Sequence, residues 1–165
     1  MLLTASKFTH LDEHGRGRMV DVSEKDITFR RATAQAKVFM KEETVRLIKE
    51  RGMAKGDVLG VAQVAGIMAA KHTPFLIPMC HPLFIDGVEL QFGFEEPGCL
   101  VIQATVNASG RTGVEMESLA AASIAALTVY DMCKAVDKEM HISQVCLLEK
   151  EGGRSGRYVR EVDGK

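Results

Sequence analysis

The chain has 165 residues, 46% hydrophobic and 26% charged, with a formal net charge of −1 and a pI near 6.5. That size fits one domain with one core and excludes a second large one. The charge balance lacks the basic excess of a general nucleic-acid binder, though 21 Lys and Arg leave room for a local cationic pocket.

Residues 1–25, with the polar, glycine-bearing run HLDEHGRGR, are expected to form a mobile N-terminal arm, leaving residues 26–165 as a single domain. From Ile27 to Met40 the pattern alternates. Ala32, Ala34, Ala36, Val38 and Met40 point one way and Arg31, Thr33, Gln35 and Lys37 the other, which predicts a half-buried strand. Lys41 to Glu50 reads as a short helix, with Val45 and Ile48 three apart and Gly52 just beyond. Asp57 is placed to cap a second helix running to about Lys71, with Val58, Val61, Ala65 and Met68 as its apolar face. Pro74, Pro78 and Pro82 then predict a shaped loop rather than more helix.

Val88, Leu90, Phe92 and Phe94 alternate with polar residues. Leu100, Ile102, Ala104 and Val106 do the same beyond Glu96-Pro97-Gly98, and together these segments predict a hairpin. The loop SGRTG, Ser109 to Gly113, leads into a long helix from about Val114 to Asp137, expected to be buried on nearly all sides. Two strand-like pieces, His141 to Glu149 and Arg157 to Val162, finish the chain. Taking the two early helices as one crossover, the order is β-α-β-β-α-β. The expected fold class is α+β, a ferredoxin-like antiparallel sheet with helices on one face.

Cys80, Cys99, Cys133 and Cys146 include no C-x-x-C pair, which argues against a zinc site of that kind. Met1 to His10 lacks the apolar core of a secretory signal, and no apolar run reaches the ~18–20 residues of a membrane span. Free thiols in a reducing cytoplasm are the simplest expectation, with no membrane partner.

Asp131 and Lys134 lie three apart, on one helical face. They suit an acid/base pair, and equally an ordinary surface ion pair. Glu115 and Glu117 open the long helix, where either carboxylate favours the helix start electrostatically; Arg111 and the backbone of SGRTG could hold an anion there. His81, fixed between Pro78 and Pro82, has a structural reading beside the functional one; Cys80 and His81 lack further ligands for a metal site. Lys55, Lys71 and Arg30 are surface charges by default, and would neutralise a polyphosphate if the fold gathered them with Lys134.

Several segments are similar to those of the cyclic pyranopterin monophosphate synthase family, the C protein of molybdenum cofactor synthesis. They are MVDVS (19–23), KGDVL (55–59), AGIMAAK (65–71), IPMCHPL (77–83), TGVEMESL (112–119), LTVYDMCKAV (127–136) and GGRSG (152–156). Arg111 stands where lysine is often expected. The resemblance implies a ferredoxin-like subunit in a homohexamer of three dimers, with active sites at the dimer interface. It implies a phosphorus–oxygen lyase reaction: 3′,8-cyclo-7,8-dihydroguanosine triphosphate becomes cyclic pyranopterin monophosphate as pyrophosphate leaves. It implies Asp131 and Lys134 as the catalytic pair. Substrate binding would fall to Met79, Cys80, His81, Met116, Glu117 and Glu115, with Lys55, Lys71 and Arg30 as basic pocket residues. No resident cofactor or metal is implied, beyond magnesium on the substrate phosphates.

A ferredoxin-like RNA-binding module is the rival reading. It would need exposed aromatic residues on the sheet, and aromatics are 5% here, with no Trp and no RNP-type run. A non-catalytic assembly subunit would keep the apolar surfaces without a working Asp131–Lys134 pair.

Overall fold

The computed structural model describes residues 14–95, 97–154 and 156–161. Glu96, Ser155, Val162 and residues 1–13 of the expected arm lie outside them. The elements are β1 (Thr28–Phe39), α1 (Glu42–Lys49), α2 (Val58–Leu76), β2 (Ile85–Glu95), β3 (Cys99–Gly110), α3 (Glu115–Cys133), β4 (His141–Glu151) and β5 (Tyr158–Val159).

The alternation in β1 becomes burial. Ala32, Ala34, Ala36 and Val38 are fully buried and stand in register with Val106, Ala104, Ile102 and Leu100 of antiparallel β3. The sheet order is β2-β3-β1-β4-β5, with every described pairing antiparallel, which is the ferredoxin-like arrangement extended by a short edge strand. Alanines on β1 let α3 pack close against the strand, and α3 carries its own small residues Ala121, Ala122, Ala125 and Ala126, all fully buried.

α1 begins without a side-chain cap of its own. Asp137, beyond α3, supplies one: its Oδ2 accepts from the Lys41 N–H at 2.8 Å and from Thr44 Oγ1 at 3.1 Å. These bonds fasten the end of α3 to the start of α1.

Three expectations need correction. The expected apolar face of α2 is not its buried face: Val58 is buried, but Val61 and Met68 are 48% and 45% exposed and Ala65 is only half-buried. The inward residues are Val58, Ala62, Gly66, Ala69, Ala70 and Thr73. The reason is proximity. A Cβ on Gly66 would stand 3.0 Å from the Ala121 carbonyl of α3 and collide with Leu90, so only small side chains fit between the helices. Second, α2 does not stop near Lys71 but continues to Leu76 with Pro74 inside it. Proline removes the bond to the Ala70 carbonyl, but so close to the helix end little remains to disrupt, and Ile77 N–H still bonds Thr73 O at 2.9 Å. Third, α3 ends at Cys133 and is not buried on nearly all sides, since Leu127 is 53% exposed in the single chain.

With Val61, Val64, Met68 and Phe75 of α2, Leu127 adds to the large apolar side chains exposed on the two packed helices.

Candidate active site

The candidate residues gather at the two ends of α3. At its C-terminal end, Asp131 Oδ1 lies 2.7 Å from Lys134 Nζ and Oδ2 lies 3.0 Å from Lys55 Nζ. Lys55 reaches across from the loop before α2 and also donates to the Asp131 backbone carbonyl at 2.8 Å. Hydrogen bonding to Lys134, then to Lys55, holds the Asp131 carboxyl below its ordinary range, and the bond to Asp131 raises Lys134. All three side chains are about half exposed.

At the N-terminal end, the loop after α2 and the first turn of α3 enclose a cavity of about 410 Å³. Met79, Cys80, His81, Glu115, Met116 and Glu117 line it. Glu117 is 3% exposed, and desolvation pushes its carboxyl up to about 7. Near neutral pH it can therefore donate as well as accept a hydrogen bond. Burial also raises the Cys80 thiol, with a smaller contribution from Glu117. His81 Nε2 is 2.7 Å from the Val20 carbonyl. A carbonyl only accepts, so Nε2 carries a proton, and in that tautomer Nδ1 is the acceptor.

Thr112, Gly113 and Glu115 also border a second cavity, of about 560 Å³. Arg30 lies in its wall, and its Nε donates to the Gly110 carbonyl at 3.3 Å.

One chain thus brings Met79, Cys80, His81, Glu115, Met116, Glu117 and Arg30 to one end of α3 and Lys55, Asp131 and Lys134 to the other. Fourteen residues at the helical rise separate Glu117 from Asp131 by about 21 Å. Lys71 is exposed on α2 and lines neither cavity. Val20, Val22 and Lys25 help wall the first cavity, and Lys150 and Arg154 the second; none was singled out from sequence. The only signals were the motifs MVDVS and GGRSG, which place Val20, Val22 and Arg154 but carry no geometry. Among the described residues, no group of three or more His, Cys, Asp or Glu could hold a metal ion, and no helix is long and apolar enough to cross a membrane.

A ferredoxin-like α+β fold with two adjoining cavities and a lysine–aspartate cluster suits an enzyme acting on a small molecule. The MoaC family model matches residues 19–153. Proteins named cyclic pyranopterin monophosphate synthase are similar over nearly the whole chain. That of Desulfitobacterium hafniense is 59% identical over 94% of this chain and 95% of its own. That of Brevibacillus brevis is 57% identical over 93% and 96%. A Mycobacterium bovis protein, cyclic pyranopterin monophosphate synthase 1, is 56% identical over 98% and 95%. The chain belongs to the MoaC family.

Proposed function

We propose that the protein is a cyclic pyranopterin monophosphate synthase of molybdenum cofactor biosynthesis. Its substrate is 3′,8-cyclo-7,8-dihydroguanosine triphosphate, and its products are cyclic pyranopterin monophosphate and pyrophosphate. The observation that carries this reading is the 59% identity across 94% of the chain to a protein of that name. The chemistry matches the residue types. Rebuilding the guanine-derived ring needs several proton transfers, for which Asp131 and Lys134 are the catalytic pair, with Lys55 holding the carboxylate. As a cyclic phosphate closes, departing pyrophosphate gathers charge that fixed cations such as Arg30 stabilise. Met79, Cys80, His81, Glu115, Met116 and Glu117 hold the pterin-forming part; Lys71, outside both cavities of the single chain, is assigned to the basic pocket by the family resemblance alone.

Two ends of one helix about 21 Å apart do not converge on one small molecule. A second copy running antiparallel across a two-fold axis would cover the exposed apolar side chains of α2 and α3 and lay the C-terminal end of one α3 against the N-terminal end of the other. The active form is accordingly a dimer with shared sites, three such dimers making a hexamer in the cytoplasm. Magnesium, where required, rides on the substrate phosphates.

The test is incubation of purified protein with the cyclised GTP substrate, with and without chelator, measuring pyrophosphate. No release under either condition sinks the reading; release that chelation abolishes and magnesium restores assigns the ion.

A further inference from the structure

Asp137 is 1% exposed, yet it lines neither of the two cavities. A buried carboxylate persists where hydrogen bonds replace its water. Three donors do so here. Oδ2 accepts from the Lys41 N–H and the Thr44 hydroxyl, and Oδ1 accepts from the Glu139 N–H at 3.1 Å. Burial opposes the charge, but these bonds hold the carboxyl below its ordinary range.

The donors come from two parts of the chain. Glu139 is local, whereas Lys41 and Thr44 are 96 and 93 residues away, at the start of α1. Lys41 has the extended backbone of an N-cap, φ −66° and ψ 147°, but a side chain with no acceptor to cap with. Asp137 closes α1 in its place and ties it to the chain just past Lys134. The Val136 and Asp137 N–H groups both bond the Cys133 carbonyl, at 2.9 and 3.1 Å, so the tie reaches the last turn of α3.

The far end of α1 leads to Lys55. Eight residues at the helical rise carry the chain about 12 Å. Tight turns then leave little slack: the Gly52 N–H bonds the Leu47 carbonyl at 2.8 Å, and the Gly56 N–H bonds the Met53 carbonyl at 2.9 Å. Lys55 lies within that last turn and meets Asp131 at 3.0 Å. The unit made of α1 and its turns is thus joined to the end of α3 twice, by Asp137 at its start and by Lys55 beyond its finish. Ile48 and Met53 sit in the core between them, so losing the first tie shifts Lys55 without releasing it.

We propose that Asp137 is a positioning residue for the cluster of Lys55, Asp131 and Lys134. By fixing the start of α1 against the end of α3, it sets where the Lys55 ammonium meets the Asp131 carboxylate. This rests on the reading of Asp131 and Lys134 as the catalytic pair.

Steady-state pyrophosphate release by the native assembly, with kcat and KM separated, tests it. Asp137→Ala should lower kcat by at least ~10-fold with KM little changed, since a small displacement set far from the chemistry is enough for that. Lys55→Gln should lower kcat as well, and the double variant should fall little below Lys55→Gln alone. Losses that multiply would show that Asp137 does not act through Lys55, and overturn the proposal. Lys41→Ser in the Asp137→Ala background supplies a local cap, at the cost only of an exposed ion pair with Glu139. Melting temperature should then recover while kcat stays low, because the tie to α3 is still missing. Recovery of both reduces Asp137 to a helix cap and overturns its positioning role. Should Asp137→Ala fail to assemble, Thr44→Val keeps the side-chain volume, removes one of the two bonds across to α1, and enters the same cycle with Lys55→Gln. Normal turnover in Asp131→Asn sinks the catalytic pair and the proposal with it; impaired Asp131→Asn beside normal, folded Asp137→Ala sinks the proposal alone.

Discussion

Asp131 sits between two lysines, and each contact favours its charged form. At spacing alone it was open whether this pair is catalytic or ornamental, because i,i+3 neighbours on a helix form surface ion pairs routinely. Its exposure shows that the subunit does not need it for its core, so substitution should touch rate more than folding. Asp131→Asn and Lys134→Ala should each keep the native mass and melting temperature within a few degrees while losing at least ~10²-fold in turnover. Steady-state pyrophosphate release checks this, and near-normal turnover in either variant removes that residue from catalysis. His81 has two polar ends with different duties: Nε2 holds the Val20 carbonyl, and in that tautomer Nδ1 is left to accept from a ligand. His81→Gln can place an amide N–H near the Nε2 position but supplies no Nδ1. Its melting should therefore stay close to wild type while substrate binding weakens by roughly 1.5–3 kcal/mol, the range for a bond to a charged group. Wild-type affinity in a melt-neutral His81→Gln would defeat the ligand contact. What sequence could not display is the first bond: nothing in IPMCHPL says that a carbonyl 61 residues upstream receives the ring.

At the scale of elements, strands were easier to read than helix faces. β1 alternates alanine and valine with charged and polar residues, so period two identifies its buried side directly. α2 has apolar residues all round, and periodicity then says little about which side faces in. Size decides instead: the face against α3 is the one with the smallest residues. Gly66 is a tight point of that contact, 3.0 Å from the Ala121 carbonyl once a Cβ is added. Helix propensity favours Gly66→Ala by about 1 kcal/mol. Overpacking against backbone costs about 1–3 kcal/mol, so the expected net is a loss of up to about 2 kcal/mol. Urea denaturation measures the sign, and a gain in stability would mean that α2 and α3 have room to spare. The second cavity was illegible for a different reason. Its residues come from the segments around 25–30, 111–115 and 150–154, and only the closure of β1 against β3 and β4 puts them together.

For the whole molecule, the distance along α3 turns assembly into a question about chemistry. If each site takes its N-terminal half from one subunit and its C-terminal half from another, damage to the two halves is complementable. A subunit carrying Asp131→Asn keeps an intact His81–Glu117 end. A subunit carrying His81→Ala keeps an intact Asp131–Lys134 end. Paired in one dimer, they form one site with both halves intact and one with both halves damaged. Random pairing makes half of the dimers mixed, and half of the sites in those are whole, so co-expressed variants should recover about a quarter of wild-type turnover. Separate purification tags on the two chains isolate the mixed assemblies, and pyrophosphate release is the readout. Sites built within single chains predict another result, the mere average of two crippled enzymes, and light scattering at 18.0 kDa with full activity would abolish the shared site altogether. Exposed apolar side chains on α2 and α3 favour the first outcome, since a second copy laid antiparallel over Val61, Val64, Met68 and Leu127 buries them and joins the two ends in the same step.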